Sequence, residues 1–274
     1  MITLKYRAKG PEVYTLCELL HKLGYQITIS DSFTLEVDAA VKDFQKNNAL
    51  VVDGAVGMKT WQVLLDKSKK IFNINDRFLS EEDLKDFAKK FNLELAAVKA
   101  INEVESSGKG FLMDGKPKIL FEGHIFWNQL QKRGINPASL QRPQNRNVLY
   151  PKWTKAYYQG GVKEYDRLNE AIAISPNPKV KEAALAAASW GSFQIMGFHA
   201  LSLGYASVQD FVDKMYIHER EHLKAFGKFL EVNNIMTSLR NKNWAKVAEK
   251  YNGAGYKANK YDVKLKTAYE KYAR

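Results

Sequence analysis

The segment Asn92-Leu93-Glu94-Leu95-Ala96-Ala97-Val98-Lys99-Ala100-Ile101-Asn102-Glu103-Val104-Glu105-Ser106-Ser107-Gly108 governs how most of the chain is read. Leu95, Val98 and Ile101 recur at helical spacing, and Glu105, four residues beyond Ile101, continues their stripe. Glu103 points roughly 200° away from Ile101 on a helix, so the two carboxylates occupy different faces and Glu103 is expected in solvent. Ser106-Ser107-Gly108-Lys109-Gly110 then breaks the helix. Glu105 is left near the C-terminal end, where the helix dipole and burial both disfavour negative charge. Periodicity leaves two outcomes open: a carboxyl that stays protonated near neutral pH and serves as a general acid, or a terminal glutamate turned out to water.

Upstream, Ser80-Glu81-Glu82-Asp83 reads as a helix start, with Leu84, Phe87, Ala88 and Phe91 as its apolar face. Residues 1–68 form a separate helical unit. Pro11 follows Gly10 where a first turn accepts proline, Val13, Leu16, Leu19, Leu20 and Leu23 form a stripe, and Gly24 stops it. A second stripe, Val37, Ala40, Val41 and Phe44, follows the turn Asp31-Ser32-Phe33-Thr34, and a third helix, Thr60-Trp61-Gln62-Val63-Leu64-Leu65, follows Asp53-Gly54. Residues 69–77 are polar and basic with no stripe, which reads as a linker, and 78–274 read as one mostly helical domain. The expected fold is therefore all-α, a small three-helix domain followed by a larger helical one.

With 274 residues, 45% hydrophobic and 26% charged, the chain has material for a real core and is neither a disulfide-held miniprotein nor a disordered or collagen-like polymer. Its longest apolar run, Ala183 to Ala188, falls far short of the roughly 20 residues that span a bilayer. The N-terminus Met1-Ile2-Thr3-Leu4-Lys5-Tyr6 lacks the pattern of a secretory signal, so synthesis and folding are expected in the cytoplasm. Cys17, the only cysteine, is expected to pack as a small hydrophobe. The net charge is +12, distributed as +2 over residues 1–72 and +8 over residues 220–274. Such a surface suits nucleic acid, lipopolysaccharide or anionic wall polymers, or merely keeps the protein soluble.

Two resemblances sharpen this reading. Gly24-Tyr25, Ala40-Val41-Lys42-Asp43-Phe44-Gln45, Val52-Asp53-Gly54-Ala55-Val56-Gly57 and Thr60-Trp61 resemble the small peptidoglycan-binding domain of cell-wall hydrolases. The turn Asp31-Ser32-Phe33-Thr34 departs from the family's Asp-Gly-x-Phe-Gly. Further on, Glu105-Ser106-Ser107-Gly108, Gly191-Ser192-Phe193-Gln194-Ile195-Met196 and Tyr251-Asn252-Gly253-Ala254-Gly255 occur in the order of the three signature segments of goose-type lysozymes and lytic transglycosylases. Residues 78–274 are most similar to the N-acetylmuramidase domain of endolysins from phages of Gram-negative hosts. Lys118-Ile119-Leu120-Phe121-Glu122-Gly123-His124, Ser189-Trp190-Gly191 and Tyr261-Asp262-Val263-Lys264 add to that similarity.

The resemblance implies a lysozyme-like fold and cleavage of the bond between N-acetylmuramic acid and N-acetylglucosamine, with Glu105 as catalytic acid. Gln194, Tyr251 and Asn252 match segments that line the saccharide cleft, the alternative being core packing and helix capping. Glu122 and His124 are candidates for a second carboxylate and its partner, or for a structural pair, and Trp190 for a sugar platform or a core residue. The implied partner is bacterial peptidoglycan, with the basic C-terminal region facing an anionic outer-membrane surface. A monomer without cofactor or nucleic acid is expected, held in the host cytoplasm until a holin admits it to the periplasm.

His218-Glu219-Arg220-Glu221-His222 competes, because on a helix His-Glu-x-x-His puts two imidazoles on one face for zinc. No histidine follows His222 as a third ligand, and Met215, His222, Phe226 and Phe229 fall at amphipathic spacing, with Glu219 and Glu221 then solvated. No metal is expected. The rivals to a muramidase are a lytic transglycosylase using the same Glu105, a zinc peptidase at His218 and His222, and a non-catalytic polyanion-binding protein.

Overall fold

The structure, a computed structural model, describes residues 3–71, 77–106, 110–257 and 259–274. The chain forms two compact units, one of residues 1–76 with 113–115 and one of the remainder.

Unit 1 contains α1 (Pro11–Lys22), α2 (Leu35–Asn47) and α3 (Met58–Ile71). Pro11 opens α1 after Gly10, as the sequence predicts, and Thr34 caps α2 by accepting a hydrogen bond from Val37 N. Val13, Leu16, Leu19 and Leu20 of α1 meet Val37, Val41 and Phe44 of α2 and Trp61 and Leu64 of α3 in one core, and Cys17 is buried among them. The expected linker is partly helix, since α3 runs through Ile71, while residues 72–76 lie outside the described residues.

Unit 2 begins with α4 (Glu81–Phe91), where Ser80 and Asp83 form a reciprocal capping box. Asn92, in the left-handed region, ends it and admits α5 (Leu95–Ile101). The axis of α5 continues into a π-helical turn, Asn102–Ser106. Then come β1 (Ile119–Phe121), α6 (Gly123–Lys132), α7 (Pro137–Leu140), α8 (Lys163–Ala173) and α9 (Pro178–Ala186). A hairpin of β2 (Ala188–Trp190) and β3 (Ile195–Met196) leads to α10 (Val208–Met215), α11 (Glu219–Val232) and α12 (Met236–Arg240). Finally α13 (Trp244–Asn252) and α14 (Tyr261–Tyr272) close the unit, with α14 packed along α5 and α13. The fold is helical, as expected, apart from one small antiparallel sheet in the order β1-β2-β3, with Phe121 opposite Ala188 and Ser189 opposite Met196. Strands this short carry too few residues for an alternating pattern to be read in sequence. They matter because β1 delivers Glu122 and the β2–β3 hairpin carries Gly191–Gln194.

Candidate active site

Glu105 sits half-buried in the π-turn that extends α5. Such turns, wider than an α-turn, interrupt helices often at functional sites. Glu103 is exposed and accepts hydrogen bonds from Lys271 Nζ at 2.7 Å and from the Tyr272 hydroxyl. That exposure is the solvent position expected for Glu103. Ser107 and Gly108 of the first signature segment lie outside the described residues.

Glu105 lies within electrostatic reach of Tyr251 in α13 and Tyr261 in α14. The phenols of Tyr251 and Tyr261 are both pushed up, first by burial and then by the Glu105 charge. Tyr251 also donates its hydroxyl to Phe193 O at 2.7 Å and packs edge-on against Phe226 and Phe229. All three signature segments, separated by up to about 150 positions in the chain, therefore meet around one tyrosine. Asn252 ends α13, and its side chain lies outside the described ones.

Packing decides Trp190 and gives Gln194 a structural task. Trp190 is 1% exposed and donates its indole N–H to Leu185 O at 3.1 Å, so its ring has no face free for a sugar. Gln194, at φ 49°, shapes the hairpin: its amide donates to Gly191 O at 2.8 Å and Lys118 O at 3.3 Å and accepts from Ser189 Oγ at 2.8 Å. These hydrogen bonds make it a hairpin staple, the capping alternative to the cleft-lining role.

Glu122 and His124 come together at the start of α6. Tyr158 donates its hydroxyl to Glu122 Oε2 at 2.5 Å, and burial followed by the Glu122 charge raises that phenol. His124 Nδ1 lies 3.4 Å from the same Oε2 and makes no hydrogen bond among the described residues. The His124 ring stacks at 6.4 Å on Tyr150, which in turn lies 5.1 Å from Tyr157. Beside this aromatic group Trp153 is 64% exposed and interacts with the Tyr158 hydroxyl.

A buried ion pair missed by sequence reading fixes this corner. Glu164 accepts from Gln159 N at 2.7 Å, Gly160 N at 3.0 Å, Phe121 N at 3.2 Å and Arg167 Nη1 at 2.7 Å. Arg167 donates onward to Phe121 O at 2.8 Å and Asn147 O at 3.1 Å. Strand β1 and the loop bearing Tyr158 are thus clamped to α8. The only sequence signal was an acid and a base three apart, a spacing shared by many exposed helix pairs.

The zinc arrangement is not formed. His218 is the N-cap of α11, where Nδ1 accepts from Arg220 N at 2.9 Å and Nε2 meets the Arg220 guanidinium at 2.9 Å. His222 is buried, donates Nε2–H to Met215 O at 2.7 Å and accepts at Nδ1 from Ser192 N at 3.1 Å. Both lone pairs a metal requires are engaged. Burial pulls the His222 pKa down to about 4, keeping the ring neutral. Glu219, expected in solvent, is 6% exposed instead and accepts from Leu79 N at 3.0 Å and Gly110 N at 2.8 Å. Burial raises its pKa. A Cβ on Gly110 would lie 2.2 Å from Ser192 Oγ, so only glycine lets these groups close together. The motif is a structural latch.

A family model described as N-acetylmuramidase matches residues 94–273, and one described as a putative peptidoglycan binding domain matches residues 9–64. No curated protein sequence matches the chain. A crystal structure of the Burkholderia AP3 phage endolysin is 40% identical, covers 100% of both chains and superposes with a TM-score of 0.68. The first model spans the whole meeting point of Glu105, Phe193 and Tyr251, and on that match the chain belongs to the N-acetylmuramidase family of peptidoglycan-cleaving glycoside hydrolases, here preceded by a peptidoglycan-binding domain.

Proposed function

We propose that the protein is a phage endolysin that hydrolyses the β-1,4 bond between N-acetylmuramic acid and N-acetylglucosamine, with Glu105 as general acid. The observation that carries this role is the placement of Glu105: a half-buried carboxyl on a π-turn, near enough for its charge to raise the phenols of Tyr251 and Tyr261. A carboxyl so placed gives its proton to the leaving glycosidic oxygen as the bond from C1 breaks, and positive charge develops at the ring. Water supplies hydroxide to C1, and its remaining proton restores the acid. Glu122, steadied by Tyr158 and adjoining His124, supplies a second polar wall to the cleft. The sugar-stacking role first read for Trp190 passes to Trp153, whose ring is open to solvent beside that wall.

The domain boundaries that go with this reading are 1–68 for wall binding and 78–274 for catalysis. No helix among the described residues is long and apolar enough to cross a membrane. The enzyme works as a monomer, is made in the host cytoplasm, is released by a holin and acts in the periplasm, its basic C-terminal region favouring an anionic envelope.

Muropeptide mass spectrometry on purified peptidoglycan tests the reaction. Reducing muramic acid ends are expected, whereas products lighter by one water, with anhydro ends, would assign a lytic transglycosylase. Glu105→Gln should keep the fold and lose at least about a hundredfold in rate, and Glu103→Gln should matter little. Near-native lysis by folded Glu105→Gln would remove Glu105 from the mechanism.

A further inference from the structure

Unit 1 carries a concavity of about 440 Å³ formed around the segment between α2 and α3. This is within the range of small-ligand sites. Its floor is fixed by Gln45, a buried residue of α2. The Gln45 amide donates to Asp53 Oδ1 and to Ala55 O, both at 3.0 Å, and accepts from Gly54 N at 2.9 Å. Asp53 accepts in addition from Ala55 N at 2.9 Å, and these hydrogen bonds hold its carboxyl below the usual range. The loop is therefore preformed, which lowers the ordering cost of binding.

The rim has a different character. Lys5 and Lys59 are exposed there, two ammonium groups against the one carboxylate of Asp53. Met58 and Val51, both lining this concavity, are each 78% exposed, an unusual degree for two apolar side chains of one site. No aromatic ring is among its lining residues. Peptidoglycan offers two chemistries to such a site. Its glycan strand is uncharged, because the lactyl carboxyl is consumed in the amide to the peptide, and carbohydrate rings are commonly gripped by aromatic faces. Its stem peptide bears free carboxylates, an amine and small alanine methyls.

We propose that this concavity recognises the acidic stem peptide of peptidoglycan, with Lys5 and Lys59 meeting its carboxylates and Met58 and Val51 covering its alanine methyls. The proposal deepens the wall-binding reading of residues 9–64 and rests on it.

The test uses the full chain labelled with ¹³C at its six methionine methyls, the Met58 signal being assigned by its loss in Met58→Leu. Synthetic L-Ala–γ-D-Glu–meso-diaminopimelate–D-Ala should shift the Met58 signal saturably, and chitotetraose should not. Lys5→Glu combined with Lys59→Glu should raise the half-saturation concentration at least about tenfold. The other methionine signals of that variant report its fold, and Lys5→Arg with Lys59→Arg should restore binding. A Met58 shift with chitotetraose but not with the peptide, or binding indifferent to charge reversal, overturns the stem-peptide assignment while wall binding stands. If soluble wall fragments also leave Met58 unmoved, the concavity is not a wall site and the proposal falls, while failure of residues 1–68 to pellet with peptidoglycan is what would remove the wall-binding reading itself.

Discussion

Glu164 has no solvent-exposed side-chain surface, and its carboxylate is surrounded by three backbone N–H groups and the Arg167 guanidinium. Removing one member of such a pair leaves a buried charge uncompensated, so Glu164→Ala should cost about 3–5 kcal/mol in urea unfolding. A loss near zero would mean that the clamp does not hold β1 to α8. His222 offers a second test at this scale. From pH 6.5 down to about 4 the unfolded chain binds a proton at this ring that the native protein refuses. Stability from this residue is complete above pH 6.5 and falls through that window, by up to about 1.4 kcal/mol per pH unit. Glu219, raised by burial, acts in the opposite sense, so the comparison must be made between variants. His222→Gln, which keeps a donor toward Met215 O, should show a flatter dependence of unfolding free energy on pH between 4 and 6.5. An unchanged slope would locate the acid sensitivity elsewhere.

At the scale of elements, α11 shows how a motif changes meaning with its place in a helix. His-Glu-x-x-His binds zinc when both histidines lie within one helix, but here the helix begins at Glu219 and leaves His218 outside as a cap. The following residues turn Glu219 and His222 inward, toward Gly110 and Ser192. Wall lysis should accordingly survive exhaustive chelation, and His218→Ala should cost stability alone, by about 1 kcal/mol for a lost cap. Loss of lysis on chelation, restored by added zinc, would return the peptidase reading. The π-turn shows the converse. The α-helical count carries the stripe through Ile101, but residues 102–106 form a π-turn, wider than that count supposes, so the direction of Glu105 is set by that turn and not by the periodicity of α5.

At the scale of the molecule, each unit has its own apolar core, so each contains the main determinant of independent folding. Residues 78–274 alone should still cleave soluble wall fragments but lose efficiency on intact sacculi, because the binding domain raises the local concentration of the catalytic domain at the polymer. Lysis of sacculi by the truncated and full chains, compared at equal concentration, checks this, and equal rates would deny the first domain its role. Pelleting of residues 1–68 with peptidoglycan should survive moderate salt, since the net charge of +2 over residues 1–72 gives electrostatics little hold.

The sequence by itself determined the helical class, the proline-opened start of α1, the capped start of α4, the apolar stripe of α5 and the exposure of Glu103. These are local matters, set by spacing of 3.6 residues per turn and by side chains that cap within three positions. The resemblance carried by three signature segments in order pointed to a wall-cleaving enzyme, whereas composition and charge left nucleic acid and wall polymers equally open. Only the tertiary structure decided which aromatic ring is buried and which is open. Trp190 and Trp153 look alike in sequence, but the first, at the end of β2, is buried with its indole N–H bonded to Leu185 O, and the second is exposed on a loop. The same holds for Glu219, whose carboxylate is kept from water by N–H groups 109 and 140 positions away. Burial and hydrogen-bond partners depend on contacts between distant parts of the chain, and no local pattern encodes them.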